Sequence, residues 1–171
     1  MPLKLESKVN FMLYRIKQFF RGIFVCVPPE SGILIKRYLN KKEYDLFMKL
    51  PPYERAHALN TAFTVQGFGD IDNKEIIVKA ALLHDIGKVG SGIGIFGKSI
   101  LVLTDKFFPD FSHKLSQKID MFKIYYKHPE IGAKLLESIG TDKKVILLVE
   151  NHHSNKYIKG IEYLKKADSL N

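Results

Sequence analysis

The dipeptide His84-Asp85 is the pair whose residue types and position point most directly to chemistry in this sequence. It directly follows the apolar run Ala80-Ala81-Leu82-Leu83. Burying an imidazole and a carboxylate without partners costs several kcal/mol, so such groups are usually paired or bind a metal. Helical spacing predicts this burial, because one face of the preceding stretch carries Ile76, Ile77, Ala80 and His84. We expect Gly87 to end the helix in the left-handed conformation, with the pair facing the interior.

Further histidines and an aspartate lie beside predicted apolar helix faces or at predicted helix ends. They are His57, His128 directly before Pro129, His152 and His153 after the stripe Val145, Leu148 and Val149, and Asp168 after the stripe Tyr157, Ile161 and Leu164. A single histidine in such a place is more often a hydrogen-bonded core residue, and His113 is interpreted in that way. The joint occurrence of the others favours a metal site.

A mixture of imidazoles and carboxylates suits divalent transition metals, and the sequence does not distinguish Zn, Fe, Mn, Co and Ni. The two oxygens of one carboxylate, such as Asp85, can bridge two ions about 3.5–4 Å apart. The residues therefore predict one metal centre assembled from several helices.

The elements that must position these residues are predicted to be helices, which makes the fold class all-α. The pattern indicates an N-terminal helical extension over residues 1–40 and one compact multi-helix domain over residues 41–171, with a glycine-rich loop after Lys88. Helices are predicted at 3–25, 33–39, 41–50, from 52 through His57, 73–85, within the apolar stretch 98–108, and at 112–126, 129–139, 141–153 and 157–169. Thr141 is expected to cap the helix over 141–153.

Composition limits the classes of partner and compartment. The chain has 171 residues and a formal charge of +9, from 27 Lys and Arg against 18 Asp and Glu. This charge favours anionic partners, such as a small phosphorylated substrate. No segment resembles a standard nucleic-acid-binding motif, which disfavours nucleic acid. Cys26 is the sole cysteine. Together with the lack of a signal-peptide pattern, it predicts a cytoplasmic protein.

Residues 3–25 have two interpretations. Apolar and aromatic residues follow helical spacing there, with Arg15, Lys17 and Arg21 on other faces. The first interpretation is a helix that packs against the domain, and the second is peripheral contact with a membrane surface. The three cations interrupt the apolar run and exclude a spanning segment.

The order His57, His84-Asp85, Asp168 resembles the H…HD…D signature of the HD-domain metal-dependent phosphohydrolases. His84-Asp85-Ile86-Gly87-Lys88, His128-Pro129-Glu130-Ile131-Gly132-Ala133 and His152-His153 further resemble the HDIGK, HPxxGA and HH elements of the HD-GYP subgroup, which degrades cyclic dinucleotides. The GYP segment is absent, and the chain reads Ser154-Asn155-Lys156-Tyr157-Ile158-Lys159-Gly160 instead. A glutamate expected one helical turn before the first histidine is replaced by Tyr53, which disfavours a third metal.

The resemblance implies a compact HD-domain helical bundle of the HDIG type. It implies His57, His84, Asp85 and Asp168 as primary ligands, and His128, His152 and His153 around a second ion that Asp85 bridges. Lys88 would contact a substrate phosphate, and Arg55 is a weaker candidate for the same contact. The expected activity is hydrolysis of a phosphomonoester or phosphodiester by hydroxide formed at two divalent ions, with Asp85 and Lys88 as catalytic residues. The alternative is a non-catalytic module that senses a nucleotide or binds a protein.

Overall fold

The structure, a computed structural model, describes residues 30–92 and 94–171. Within this part of the chain all regular structure is helical, and no strand occurs. One turn of 3-10 helix spans Ile86–Lys88, and the α-helices are α1 Ser31–Tyr38, α2 Lys41–Phe47, α3 Pro52–Gly67, α4 Lys74–Leu83, α5 Ile95–Phe107, α6 Pro109–Ser116, α7 Asp120–Ser138, α8 Lys143–Asn151 and α9 Ile161–Leu170. The all-α prediction is confirmed.

Helix α4 lies at the centre of the main core. Its last four residues, Ala80–Leu83, are fully buried, because α1, α3, α8 and α9 all pack around it. Buried Glu43 on α2 pairs with Lys79 on α4 at 2.9 Å and also closes a capping box with Asn40. The end of α4, where His84-Asp85 stands, is therefore fixed from several sides.

A smaller apolar cluster lies apart from the main core. Helices α5 and α6 pack against each other and against α7, with Leu101 and Phe122 at the centre of the contact. No helix in the described residues is long and apolar enough to cross a membrane. The predicted helix over residues 3–25 falls outside the described residues. Leu34 and Leu39 near α1 join the main core, and the boundary placed after residue 40 stays a prediction.

Several predicted helices have the wrong boundaries; the helix predicted over 157–169 begins only at Ile161, and the largest differences concern α6 and α7. Residues 117–119 separate α6 from α7, whereas the sequence predicts a single helix over 112–126, and α7 continues through Pro129. Proline has no N–H to donate to the carbonyl of Tyr125 four residues earlier. That carbonyl instead accepts a hydrogen bond from the ring Nδ1 of His128 at 2.7 Å. The helix therefore tolerates the proline because a side chain replaces the missing donor.

The predicted cap of the next helix is also wrong. Helix α8 begins at Lys143 with Asp142 as the N-cap, and the Asp142 carboxylate accepts from the Lys144 N–H at 2.7 Å. The hydroxyl of Thr141 is buried without a hydrogen bond. An ionised carboxylate at a helix N-terminus satisfies a free N–H and also interacts favourably with the helix dipole.

Gly87 does not adopt the left-handed conformation that the sequence predicts. It lies within the 3-10 turn, and the glycines with positive φ in the described residues are Gly90, Gly92, Gly140 and Gly160. A Cβ on Gly87 would stand 2.0 Å from the carbonyl oxygen of His128 and 2.7 Å from the amide nitrogen of Gly132. Glycine is therefore required at this position because the backbone of α7 passes directly against the 3-10 turn.

We expect Gly87→Ala to push the 3-10 turn away from α7. Overpacking against backbone costs about 3 kcal/mol, which corresponds to a fall in Tm of roughly 10 °C for a chain of this size. Thermal unfolding followed by circular dichroism measures the loss. Gly67→Ala is the matched control, since no atom lies within 4 Å of its added Cβ. Equal melting of the two variants would contradict the steric argument.

Candidate metal centre

The side chains of His57, His84, Asp85, His128, His152, His153 and Asp168, here called the ligand cluster, come together around the end of α4. Two groups within the cluster could each hold an ion. The first group is His57, His84 and Asp168, and the second group is His128, His152 and His153. The ligating atoms of each group lie within 4.8 Å of one another. All seven sequence-predicted ligands are therefore neighbours in the structure.

Asp85 stands between the two groups. Its Oδ2 lies 3.4 Å from His84 Nε2 and 3.9 Å from His57 Nε2, both in the first group. Its Oδ1 lies 3.2 Å from His128 Nε2 and 4.0 Å from His152 Nε2, both in the second group. The two oxygens of one carboxylate thus face different imidazole groups, which is the arrangement that a bridging ligand needs.

Three histidines of the cluster are oriented by the same kind of local hydrogen bond. The Nδ1 atoms of His84, His128 and His152 donate to the carbonyls of Ala81, Tyr125 and Val149, each three residues earlier, at 2.8, 2.7 and 2.6 Å. Carbonyls in the last turn of a helix have no intrahelical partner, which leaves those of Ala81 and Val149 available. In the neutral ring this hydrogen bond places the lone pair on Nε2, which faces the cluster.

The Nε2 atoms fit a cation better than they fit one another. His128 Nε2 and His152 Nε2 lie 3.3 Å apart, and with both Nδ1 atoms protonated no proton remains to join them. His84 Nε2 is buried without a hydrogen bond, 3.5 Å from Asp168 Oδ1. Donors about 2.1 Å from a shared ion are separated by roughly 3–3.4 Å. The donor set and these spacings fit divalent transition metal ions.

Charge divides the cluster into two environments. Burial and the neighbouring imidazoles His84, His153 and His128 hold the pKa of His152 well below its usual range, so this ring is neutral. Burial opposes the charge of Asp85, but Lys88 and His84 lower its pKa far enough to keep it ionised. Burial likewise disfavours ionised Asp168, but its hydrogen bond to His57 and the charge of the neighbouring His84 imidazole lower its pKa. The first group therefore contains an ionised carboxylate, whereas the second consists of imidazoles alone.

Lys88 lies inside the ligand cluster, beside Asp85, and not at the edge of the cluster. Its Nζ is 2.6 Å from Asp85 Oδ2 and 3.6 Å from Glu54 Oε2. Burial would lower the pKa of Lys88, but the charges of Asp85 and Glu54 raise it, so the ammonium stays protonated. A fixed positive charge therefore stands beside the Asp85 carboxylate.

The structure does not bring Arg55 into the cluster. Its Nη1 donates to the carbonyls of Met48 and Leu50, at 2.9 and 3.0 Å, beyond the end of α2. The residue also lines an apolar groove of about 690 Å³ between α1, α2 and α3. His113, which the sequence left outside the site, stacks on Tyr126 with ring centroids 4.5 Å apart.

Glu54 is the acidic residue of the site that the sequence analysis missed. It is 2% exposed and faces Lys88 from the first turn of α3. The family pattern directed attention to position 53, four residues before His57, where this chain has tyrosine. Residues three apart also share a helix face, so the spacing from Glu54 to His57 was a signal that could have identified it.

Removing the bridging carboxylate tests the centre directly. We expect purified protein to carry stoichiometric metal. The metal content of Asp85→Ala should be at least about tenfold lower, because the variant lacks the carboxylate that faces both groups. Elemental analysis of the purified chains measures the metal content. Asp110→Ala removes an exposed carboxylate on α6 and should leave the content unchanged. Metal retained by Asp85→Ala would exclude this centre.

The pH dependence of metal loading follows from His84. Burial would lower its pKa, but the charges of Asp85 and Asp168 raise it to about 9. An ion binds the neutral ring, so below pH 9 it must displace a proton. As the pH falls, affinity for Mn²⁺ or Zn²⁺ should weaken about tenfold per pH unit for each proton displaced. Calorimetric titrations between about pH 6.5 and 8.5, in buffers of different ionisation enthalpy, count those protons. Binding without proton release would contradict the assignment.

Comparison with known proteins agrees with this geometry. The family model of the HD domain matches residues 55–171, a stretch that contains the whole ligand cluster. No curated protein and no solved structure is significantly similar to the chain. The family match covers well over half of the sequence. The chain therefore belongs to the HD-domain superfamily of metal-dependent phosphohydrolases.

Proposed function

We propose that this protein hydrolyses a phosphoester of a nucleotide or another small phosphorylated molecule at a binuclear metal centre. The observation that carries the proposal is the position of Asp85, whose two oxygens face two separate imidazole groups. Divalent ions, when bound, supply Lewis-acid activation of water and neutralise phosphate charge. The residues of this chain supply the ligands and a fixed cation, with His84, Asp85, His128 and His152 buried.

The first group and Asp85 provide the negative charge that retains an ion. Within the first group, His57 Nε2 lies at hydrogen-bonding distance from Asp168 Oδ1, 2.9 Å away. Both residues are partly exposed, with 16% and 23% of their side-chain surface accessible, whereas His84 and Asp85 are buried. The His57–Asp168 edge is therefore the side of the first group that solvent and a small substrate can reach.

Lys88 supports binding of a phosphoryl group. Its charge stands 2.6 Å from Asp85 Oδ2 and its side chain is 14% exposed. A protonated amine at this position can donate to a non-bridging oxygen and stabilise the charge that develops there during hydrolysis. Because Glu54 approaches from a different element, α3, the ammonium is held in place before substrate arrives.

The proposal is tested with a panel of phosphomonoesters, nucleotides, cyclic nucleotides and cyclic dinucleotides, each assayed with Mn, Fe, Zn, Co and Ni. We expect turnover of at least one substrate class with at least one metal. Lys88→Met should lower kcat/KM about 10²–10³-fold, as the loss of a charge-stabilising donor does, while metal content is retained.

Lys156→Met is the matched control, because it removes an exposed lysine that is absent from the ligand cluster. Its kcat/KM should equal that of the parent chain. The proposed enzymatic activity would be contradicted if the metal-loaded protein binds nucleotides but hydrolyses no substrate in the panel. That outcome would instead support the alternative of a nucleotide-sensing module on the same scaffold.

A further inference from the structure

An exposed aromatic surface lies where α5 meets α6, outside the ligand cluster. Phe107, Phe108 and Phe111, here called the phenylalanine corner, are 40%, 66% and 56% exposed. Ile100 and Leu103, also exposed, precede them on α5 at the spacing of one helix face. Single exposed apolar residues are common, but a continuous patch of this kind usually marks a contact with a partner or a membrane.

The scaffold beneath the corner holds it outward. The hydroxyl of Tyr126 on α7 donates to the carboxylate of Asp105 on α5 and lies 2.8 Å from Ser112 Oγ on α6. Leu101 and Phe122 fill the small apolar cluster between the same three helices. Because this contact already occupies the inner face of α5 and α6, the three phenylalanines stay on the outer side.

Exposed lysines outnumber acidic residues along the chain around the corner and on the helix beneath it. From residue 105 to residue 127 the exposed lysines are Lys106, Lys114, Lys118, Lys123 and Lys127, whereas the acidic residues are exposed Asp110 and Asp120 and partly buried Asp105. The whole chain carries a formal charge of +9. Aromatic side chains flanked by lysines match the interface of an anionic bilayer, where the rings enter the headgroup region and nearby lysines are attracted to the lipid charge.

We propose that the phenylalanine corner inserts into the surface of an anionic membrane. Phe108 and Phe111 enter the interface first because they are the most exposed of the three, and the lysines contact the lipid headgroups. Charge complementarity is the observation that favours lipid over a protein partner at this surface. This contact is independent of the proposed hydrolysis and of residues 3–25.

The absence of tryptophan from the chain allows a direct test. Phe108→Trp in the full chain places a single fluorescent reporter at the corner. On addition of phosphatidylglycerol vesicles we expect its emission to shift to the blue and to be quenched by brominated acyl chains. Pure phosphatidylcholine should produce neither effect, and high salt should weaken both. Tyr157→Trp is the control, because Tyr157 is 77% exposed but lies near α9, and its emission should not change.

A second variant measures the contribution of the corner to binding. Phe108→Ser combined with Phe111→Ser should lower partition into phosphatidylglycerol vesicles at least about tenfold, with metal content and melting unchanged. Unaltered partition would overturn the proposal. Two results with the Phe108→Trp variant would also overturn it. If the emission does not change when vesicles are added, the corner binds a protein partner instead. If the emission is already blue-shifted before lipid is added, the corner is covered by another part of this chain or by a second copy of it.

Discussion

A buried carboxylate, Asp85, is the constraint on which the rest of this structure depends. Asp85 is 2% exposed, and an isolated ionised carboxylate at that depth would cost several kcal/mol or more. Lys88 at 2.6 Å and His128 at 3.2 Å offset this cost. Lys88 comes from the 3-10 turn and His128 from α7, so the carboxylate fixes the distance between these two elements. Gly87, in the same 3-10 turn, also lies against the His128 carbonyl.

Local helix chemistry then determines the direction of the ligands. At the ends of α4 and α8, and at the proline inside α7, a backbone carbonyl lacks its usual N–H donor. In each case a histidine three residues later donates its Nδ1 to that carbonyl. The same hydrogen bond satisfies the helix and turns Nε2 toward Asp85. The orientation of these three imidazoles is thus a consequence of how three helices satisfy carbonyls that lack an N–H donor.

The parts of this arrangement that are local could be predicted from the sequence. Helical spacing and the shared pattern of histidines and aspartates identified all seven members of the ligand cluster. Two predictions failed for different reasons. Pro129 was expected to start a helix because a proline within a helix usually lacks a replacement for its missing donor, which His128 supplies locally here. Gly87 was expected to have positive φ because its contact with α7 is tertiary and is not encoded locally. Which face of a helix is exposed also depends on tertiary packing. The apolar stretch 98–108 belongs largely to α5, and the packing of α7 against this helix determines which of its side chains face outward.

The two groups would give a bound ion different electrostatic environments. The first group combines Asp168 with one oxygen of Asp85, and its imidazole His84 holds a proton more tightly than an ordinary histidine. The second group combines three imidazoles, among them neutral His152, with the other oxygen of Asp85. An ion in the first group would have its charge largely neutralised by carboxylates, whereas an ion in the second would keep more of it. Asp85 couples the two environments, since each of its oxygens faces one of the groups.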